Sequence, residues 1–189
     1  MPTVTKPCAR DRLLAAADEL FYAEGVQTVG IDRIIEHAGV AKASLYNTFG
    51  SKDELVRAYL GGRHERTKAR LAKAIAKHDD PREQLLAIFD AQAKLFSDPS
   101  FHGCAFANAN AEAAPGTAAA EATDAYYSWL RGLFTDLAKR AGAKQPKLLA
   151  RQLQLVYAGS SFAGRLDDDV ACAKASRTAA AALITASIG

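Results

Sequence analysis

Leu13, Leu14, Ala17, Leu20 and Phe21 recur at three- and four-residue spacing, the period of one helix face, and predict a first amphipathic helix over about residues 8–23. Gly25 follows as a C-terminal stop. Ile31, Ile34, Ile35 and Ala38 repeat the pattern for two turns, a short second helix at about 30–37, and Gly39 breaks it. Val40 and Leu45 reopen a third helix that ends near Phe49. Beyond Gly50 the elements lengthen. Ser51 followed by Glu54 reads as a capping box opening a fourth helix that runs to about His78, with Gly61-Gly62 a local weakness. Asp79-Asp80-Pro81 is a stop and restart, Pro81 suiting the first turn of a fifth helix that carries Leu85, Leu86, Phe89, Ala93 and Phe96. A sixth segment spans His102 to Ala113 and closes at Pro115-Gly116. A seventh helix at about 117–141 holds Tyr126, Tyr127, Trp129, Leu130, Leu133, Phe134 and Leu137. Pro146 opens an eighth, and Asp167 to Asp169 open a ninth that runs to about Ile188. No alternating run of strand type competes with these nine elements, so the expected fold is all-α.

Composition strengthens that reading. Alanine occupies 41 of 189 positions, and it is the best helix former and a poor strand former. The longest apolar stretch, Thr178 to Ile188, is well short of the roughly 20 residues a spanning helix needs. The N-terminus carries Asp11 where a signal peptide would place its apolar core, so no membrane partner is expected. Cys8, Cys104 and Cys172 are odd in number and match no zinc spacing, which favours reduced thiols in a cytoplasmic protein without metal or cofactor. A net charge of +3 does not by itself announce a nucleic-acid binder. The cations Arg66, Lys68, Arg70, Lys73 and Lys77 read as a solvated helix face, and His37, His64 and His78 as solvated helix residues.

Any nucleic-acid argument must therefore rest on pattern. Two short helices joined by a tight Gly39 turn, braced by a preceding helix, have the layout of a helix-turn-helix. The second helix of such a pair must bury one side and leave the other free for a major groove. Val40, Leu45 and Phe49 can supply the buried side. Lys42, Ala43, Ser44, Tyr46, Asn47 and Thr48 are left over, small or polar groups able to approach base edges and phosphates. Lys52, at the start of the fourth helix, adds a cation beside free backbone N–H groups.

The stretch from Thr28 to Leu55 resembles the N-terminal signature of TetR-family transcriptional regulators. The matching elements are Gly39-Val40, Lys42, Ser44-Leu45-Tyr46, Phe49, Ser51-Lys52 and Leu55, with the lead-in Leu20-Phe21 and Gly25-Val26. Asn47-Thr48 departs from the bulky or basic side chains common there, so the operator cannot be inherited. The resemblance implies a DNA-binding domain at 1–52 and a helical ligand-binding and dimerisation domain at 53–189. It also implies a homodimer whose recognition helices sit one DNA turn apart, roughly 34–36 Å. A small-molecule effector would enter among helices five to eight and release the repressor from operator DNA, with the fourth helix as lever. The last two helices would form the dimer; the alanine-rich ninth permits close helix approach.

The aromatic C-terminal part supplies candidate effector contacts: Phe89, Gln92, Phe96, Cys104, Asn108, Tyr127 and Phe162, apolar surface with a few polar handles. Gly103-Cys104 and the residues after it resemble a sixth-helix motif of one TetR subgroup. The competing reading is a small-molecule-binding protein or enzyme using Cys104, with the helix-turn-helix as scaffold. A nucleophilic thiol needs a matched base and an oxyanion site, and neither is visible in the sequence.

Overall fold

The computed structural model describes residues 7–111, 113–166 and 171–188. Among them are nine helices: α1 (Ala9–Glu24), α2 (Ile31–Ala38), α3 (Lys42–Phe49), α4 (Lys52–Ile75), α5 (Pro81–Phe96), α6 (Ala105–Asn110), α7 (Ala118–Arg140), α8 (Pro146–Leu166) and α9 (Ala171–Ile188). The all-α expectation holds. α4 passes through Gly61-Gly62 without a break. α6 is shorter than expected, because Gly103 adopts φ 86° and the helix starts only after it. That Gly103 is required: an added Cβ would sit 3.1 Å from Arg165 Cδ, on a backbone L-residues avoid. The expected opening of α9 at Asp167–Asp169 lies outside the described residues.

The chain forms two compact units, one of residues 1–63 and 105–123, the other of 64–104 and 124–189. α4 and α7 each contribute to both units.

In the first unit, Leu13 and Phe21 of α1, Ile34 of α2, Leu45 of α3, and Leu55 and Leu60 of α4 are almost wholly buried. Each such side chain contributes about 1.5–3 kcal/mol by transfer from water. Polar clamps fix the angles between these helices. Arg63 donates from Nε to Asp18 Oδ1 (2.8 Å) and from Nη2 to Asp18 Oδ2 (3.1 Å), while its guanidinium stacks 3.6 Å from the Tyr22 ring centre. Ser51 Oγ accepts from the Glu54 N–H (3.1 Å), but Glu54 turns its carboxylate to Arg57 (3.3 Å). Arg57 also reaches Glu121 at 2.7 Å, and Asp53 accepts from the Ala118 N–H, so the start of α4 caps the start of α7.

The second unit is built around α5, which is buried from Gln84 through Phe89 and packs on α8 and α9. A helix covered on so many sides is central to its bundle. Phe89, Phe134 and Tyr157 form an aromatic triad with ring centres 6.1–6.2 Å apart. His64 is not a solvated residue. Its ring packs edge-on against Trp129 (4.9 Å) and Tyr126 (5.5 Å), and burial, seconded by Lys68, pushes its pKa below the ordinary 6.5.

A depressed histidine pKa means that the unfolded chain takes up the proton first on acidification. Stability is therefore present above pH 6.5 and lost as pH falls below it. Thermal melts between pH 7.5 and 5 should show this loss, and His64→Phe, which keeps a ring against Trp129, should flatten the profile.

Candidate nucleic-acid interface

An eight-residue helix is marginal in water on its own, so α3 depends on what holds it. Leu45 is its one fully buried side chain; Val40 and Phe49 are half-buried. The turn before it closes in two backbone bonds, Gly39 N–H to Glu36 O and Val40 N–H to Ile35 O, both 3.1 Å. That pattern needs a left-handed residue, and Gly39 supplies φ 60°, ψ 44°. Arg12 of α1 then donates from Nη1 to the carbonyls of Ala38 (3.2 Å) and Gly39 (2.9 Å). Two more links tie α1 to α2: Arg33 to Glu24 (2.6 Å) and His37 Nε2 to Glu19 (3.0 Å).

With that side fixed, the rest of α3 faces out. Lys42, Ala43, Tyr46, Asn47 and Thr48 are exposed and Ser44 is half-exposed. The structure thus brings six of the seven expected DNA contacts onto one short helix. Neither α2 nor α3 has a side-chain cap at its start, which leaves first-turn N–H groups open to anions such as phosphate. Thr48 Oγ1 donates back to Ser44 O (2.6 Å), so its hydroxyl is engaged within the helix. Lys52 is at the first position of α4, its ammonium 5.9 Å from the Phe21 ring centre, and partial burial lowers its pKa.

Three residues escaped the sequence reading. Arg12 has a signal in hindsight: it lies four and eight residues before Ala16 and Leu20, on the buried face of α1. Asp32 holds Lys42 Nζ at 2.8 Å, and that hydrogen bond is the main reason the lysine pKa is raised. Arg10 stands over the Phe49 ring (5.6 Å) and lines a depression of about 270 Å³ with Thr48 and Arg57.

The expected effector contacts divide. Phe89, Gln92, Phe96, Cys104 and Tyr127 belong to the second unit. Gln92 is fully engaged: Nε2 donates to Tyr157 O (2.8 Å) and Ser161 Oγ (2.6 Å), and Oε1 accepts from Ser160 Oγ (3.0 Å). Cys104 Sγ lies 3.6 Å from Tyr127 Oη, and burial pushes the Tyr126, Tyr127 and Tyr157 phenols up. Phe96 packs on Phe101 (5.1 Å) and closely over Gly164. Asn108 sits on α6, in the first unit. Phe162 departs from the set: it is 68% exposed on α8, because the inward positions of that helix are taken by Tyr157, Ser161 and Gly164.

Residues 13–59 match the family of bacterial regulatory proteins described as the tetR family. Across nearly the whole fold the chain is similar to a TetR-family transcriptional regulator from Streptomyces coelicolor, with a TM-score of 0.92, 31% identity and 96% of each chain covered. The chain belongs to the TetR family. Its helix-turn-helix is thus the DNA-binding element of a TetR-family transcriptional regulator. Among curated proteins it resembles the HTH-type transcriptional regulator TtgR of Pseudomonas putida, 35% identical over 108 residues, 51% of each chain. It also resembles the HTH-type transcriptional activator FasR of Mycolicibacterium smegmatis, 37% identical over 82 residues, 43% of this chain and 37% of that one. The chain spans about half the length of the curated relatives it matches first. Among the described residues, no helix of this TetR-family regulator is long and apolar enough to cross a membrane.

The Lys42–Asp32 pair bears on how this TetR-family element treats random DNA. In the free protein Asp32 occupies the ammonium that a phosphate would have to win. Asp32→Asn should raise affinity for a scrambled duplex several-fold at low salt and steepen the log–log salt slope by about 0.9, one further counterion released. Fluorescence anisotropy across a salt series checks both; an unchanged slope would show that Lys42 never competes for phosphate.

Proposed function

We infer that the protein is a homodimeric repressor, released from its operator by a small-molecule effector. The observation that carries the operator-reading part is the outward face of α3, with Leu45 alone fully buried beneath it. On this reading residues 1–52 are the DNA-binding module. Lys42, Ala43, Ser44 and Asn47 meet base edges, and Tyr46, Thr48 and Lys52 meet phosphates, Thr48 by turning its hydroxyl away from Ser44 O.

The dimer is supported by α8. Leu148, Leu155, Phe162 and Leu166 recur at seven, seven and four residues, and each is 51–68% exposed. Such an apolar stripe is costly to leave in water and marks a surface that another chain covers. Ala171, Ala175, Ala179 and Ala182 on α9 are also exposed and small enough for close helix approach. A two-fold pairing through α8 and α9 would present two α3 helices to successive half-sites, roughly 34–36 Å apart.

The effector reading is supported by the second unit. Phe89, Phe96, Cys104 and Tyr127 share that unit with a buried polar network of Gln92, Ser160 and Ser161. A ligand that replaced those hydrogen bonds would move α5 against α8, and α4 would act as the lever. Release and effector binding would then be reciprocal, each weakening the other by the same factor.

The test is titration of the chain's own upstream DNA against a scrambled duplex over a salt series, with the molar mass measured in parallel. Wild type should bind the upstream duplex selectively at twice the 20.1 kDa chain mass. Tyr46→Ala with Lys52→Ala should stay dimeric and lose operator binding. Leu155→Asp with Phe162→Asp should become monomeric and lose it too. A monomeric wild type, or operator affinity retained by the first variant, would contradict the reading.

A further inference from the structure

Arg70 and Lys73 lie in the second half of α4 and Lys77 follows two residues past its end, at spacings of three and four. The sequence reads this run as solvated surface. In the structure it borders a groove of about 480 Å³ between α4 and α5. The rim is Arg70 and Lys73 from α4, Lys77 and His78 just past its end, and Lys94 from α5; the small side chains of Ala74, Ala87 and Ala91, with Leu95, line the rest. One carboxylate, Asp90, also lines the groove, and Arg177 already neutralises it at 2.8 Å.

Four permanent cations around one trough repel each other, and like charges at such spacings destabilise a helix. Among the described residues Lys73, Lys77 and Lys94 make no ion pair, whereas Lys68, one turn away, is paired with Glu65 at 2.8 Å. Arg70 differs again. Its Nε is buried without a hydrogen-bond partner, and its charge acts on the buried Tyr157 phenol.

We propose that this groove binds a small organic or inorganic polyanion, a ligand carrying two or more closely spaced negative charges. The volume suits a small molecule, within the roughly 300–1,000 Å³ of ordinary ligand sites. Lys73, Lys77 and Lys94 supply the attraction, and Arg70 supplies directional hydrogen bonds. Through the Arg70 charge the anion is felt at Tyr157, whose carbonyl accepts from Gln92. The groove lies on α4 and α5, so a dimer formed through α8 and α9 leaves it open.

Calorimetric titration with inorganic pyrophosphate at low ionic strength tests the assignment on the full chain. One anion per chain should bind, with affinity falling as salt rises. Lys77→Gln with Lys94→Gln should weaken it by about tenfold or more, the loss of two charge-assisted contacts. Lys139→Gln with Arg140→Gln removes the same charge from the end of α7 and should leave the affinity within about twofold, as expected for screened distant charges. Absence of binding at millimolar pyrophosphate, or equal weakening in both variants, would overturn the site. So would loss of operator binding in Lys77→Gln with Lys94→Gln, because the cations would then belong to the DNA face.

Discussion

The recognition helix cannot hold its own shape, and that constraint governs the DNA-binding end of the molecule. Eight residues give too few internal hydrogen bonds to offset the cost of nucleating a helix. Order and orientation must therefore be imported, and the side that imports them cannot also touch DNA. Leu45 and the Arg12 clamp on the Ala38 and Gly39 carbonyls take up that side. What remains on α3 is small or polar, and all of it can be committed to reading. Arg12 thus acts on the interface from a neighbouring helix, much as Arg63 fixes α4 to α1 through Asp18.

Charge is handled differently at the helix-turn-helix and at the α4–α5 groove. Around the helix-turn-helix several cations have a carboxylate: Arg33 with Glu24, Lys42 with Asp32, Arg57 with Glu54 and Glu121. This explains how a DNA-binding protein manages with a net charge of +3. Its cations are held in pairs that a duplex must exchange, which favours sites where the exchange is well matched. The α4–α5 groove is arranged the other way, with cations gathered and left uncompensated.

Much of this was legible in the sequence, because it depends on local rules. Helix period, the Gly39 stop, Pro81 and Pro146 at first turns, and the leftover polar face of α3 all follow from neighbours a few residues apart. The effector region was less legible. Phe162 looks like any other aromatic in a helical bundle, and only the packing of α8 on α5 and α9 turns it outward. His64 reads as a surface histidine until Tyr126 and Trp129, more than 60 residues away, meet it. The Lys42–Asp32 pair spans two helices, and the cationic groove needs α5 beside α4. These features arise from tertiary neighbours that no periodicity encodes.

Hydrogen exchange tests the central claim most directly, because amide protection reports local opening free energy segment by segment. It should be measured by mass spectrometry on the wild type and on Arg12→Ala. The account predicts that protection falls in α2, the Gly39 turn and α3 while α5, α8 and α9 are unchanged. Unchanged protection of α3 in Arg12→Ala, or an equal loss across every helix, would contradict it.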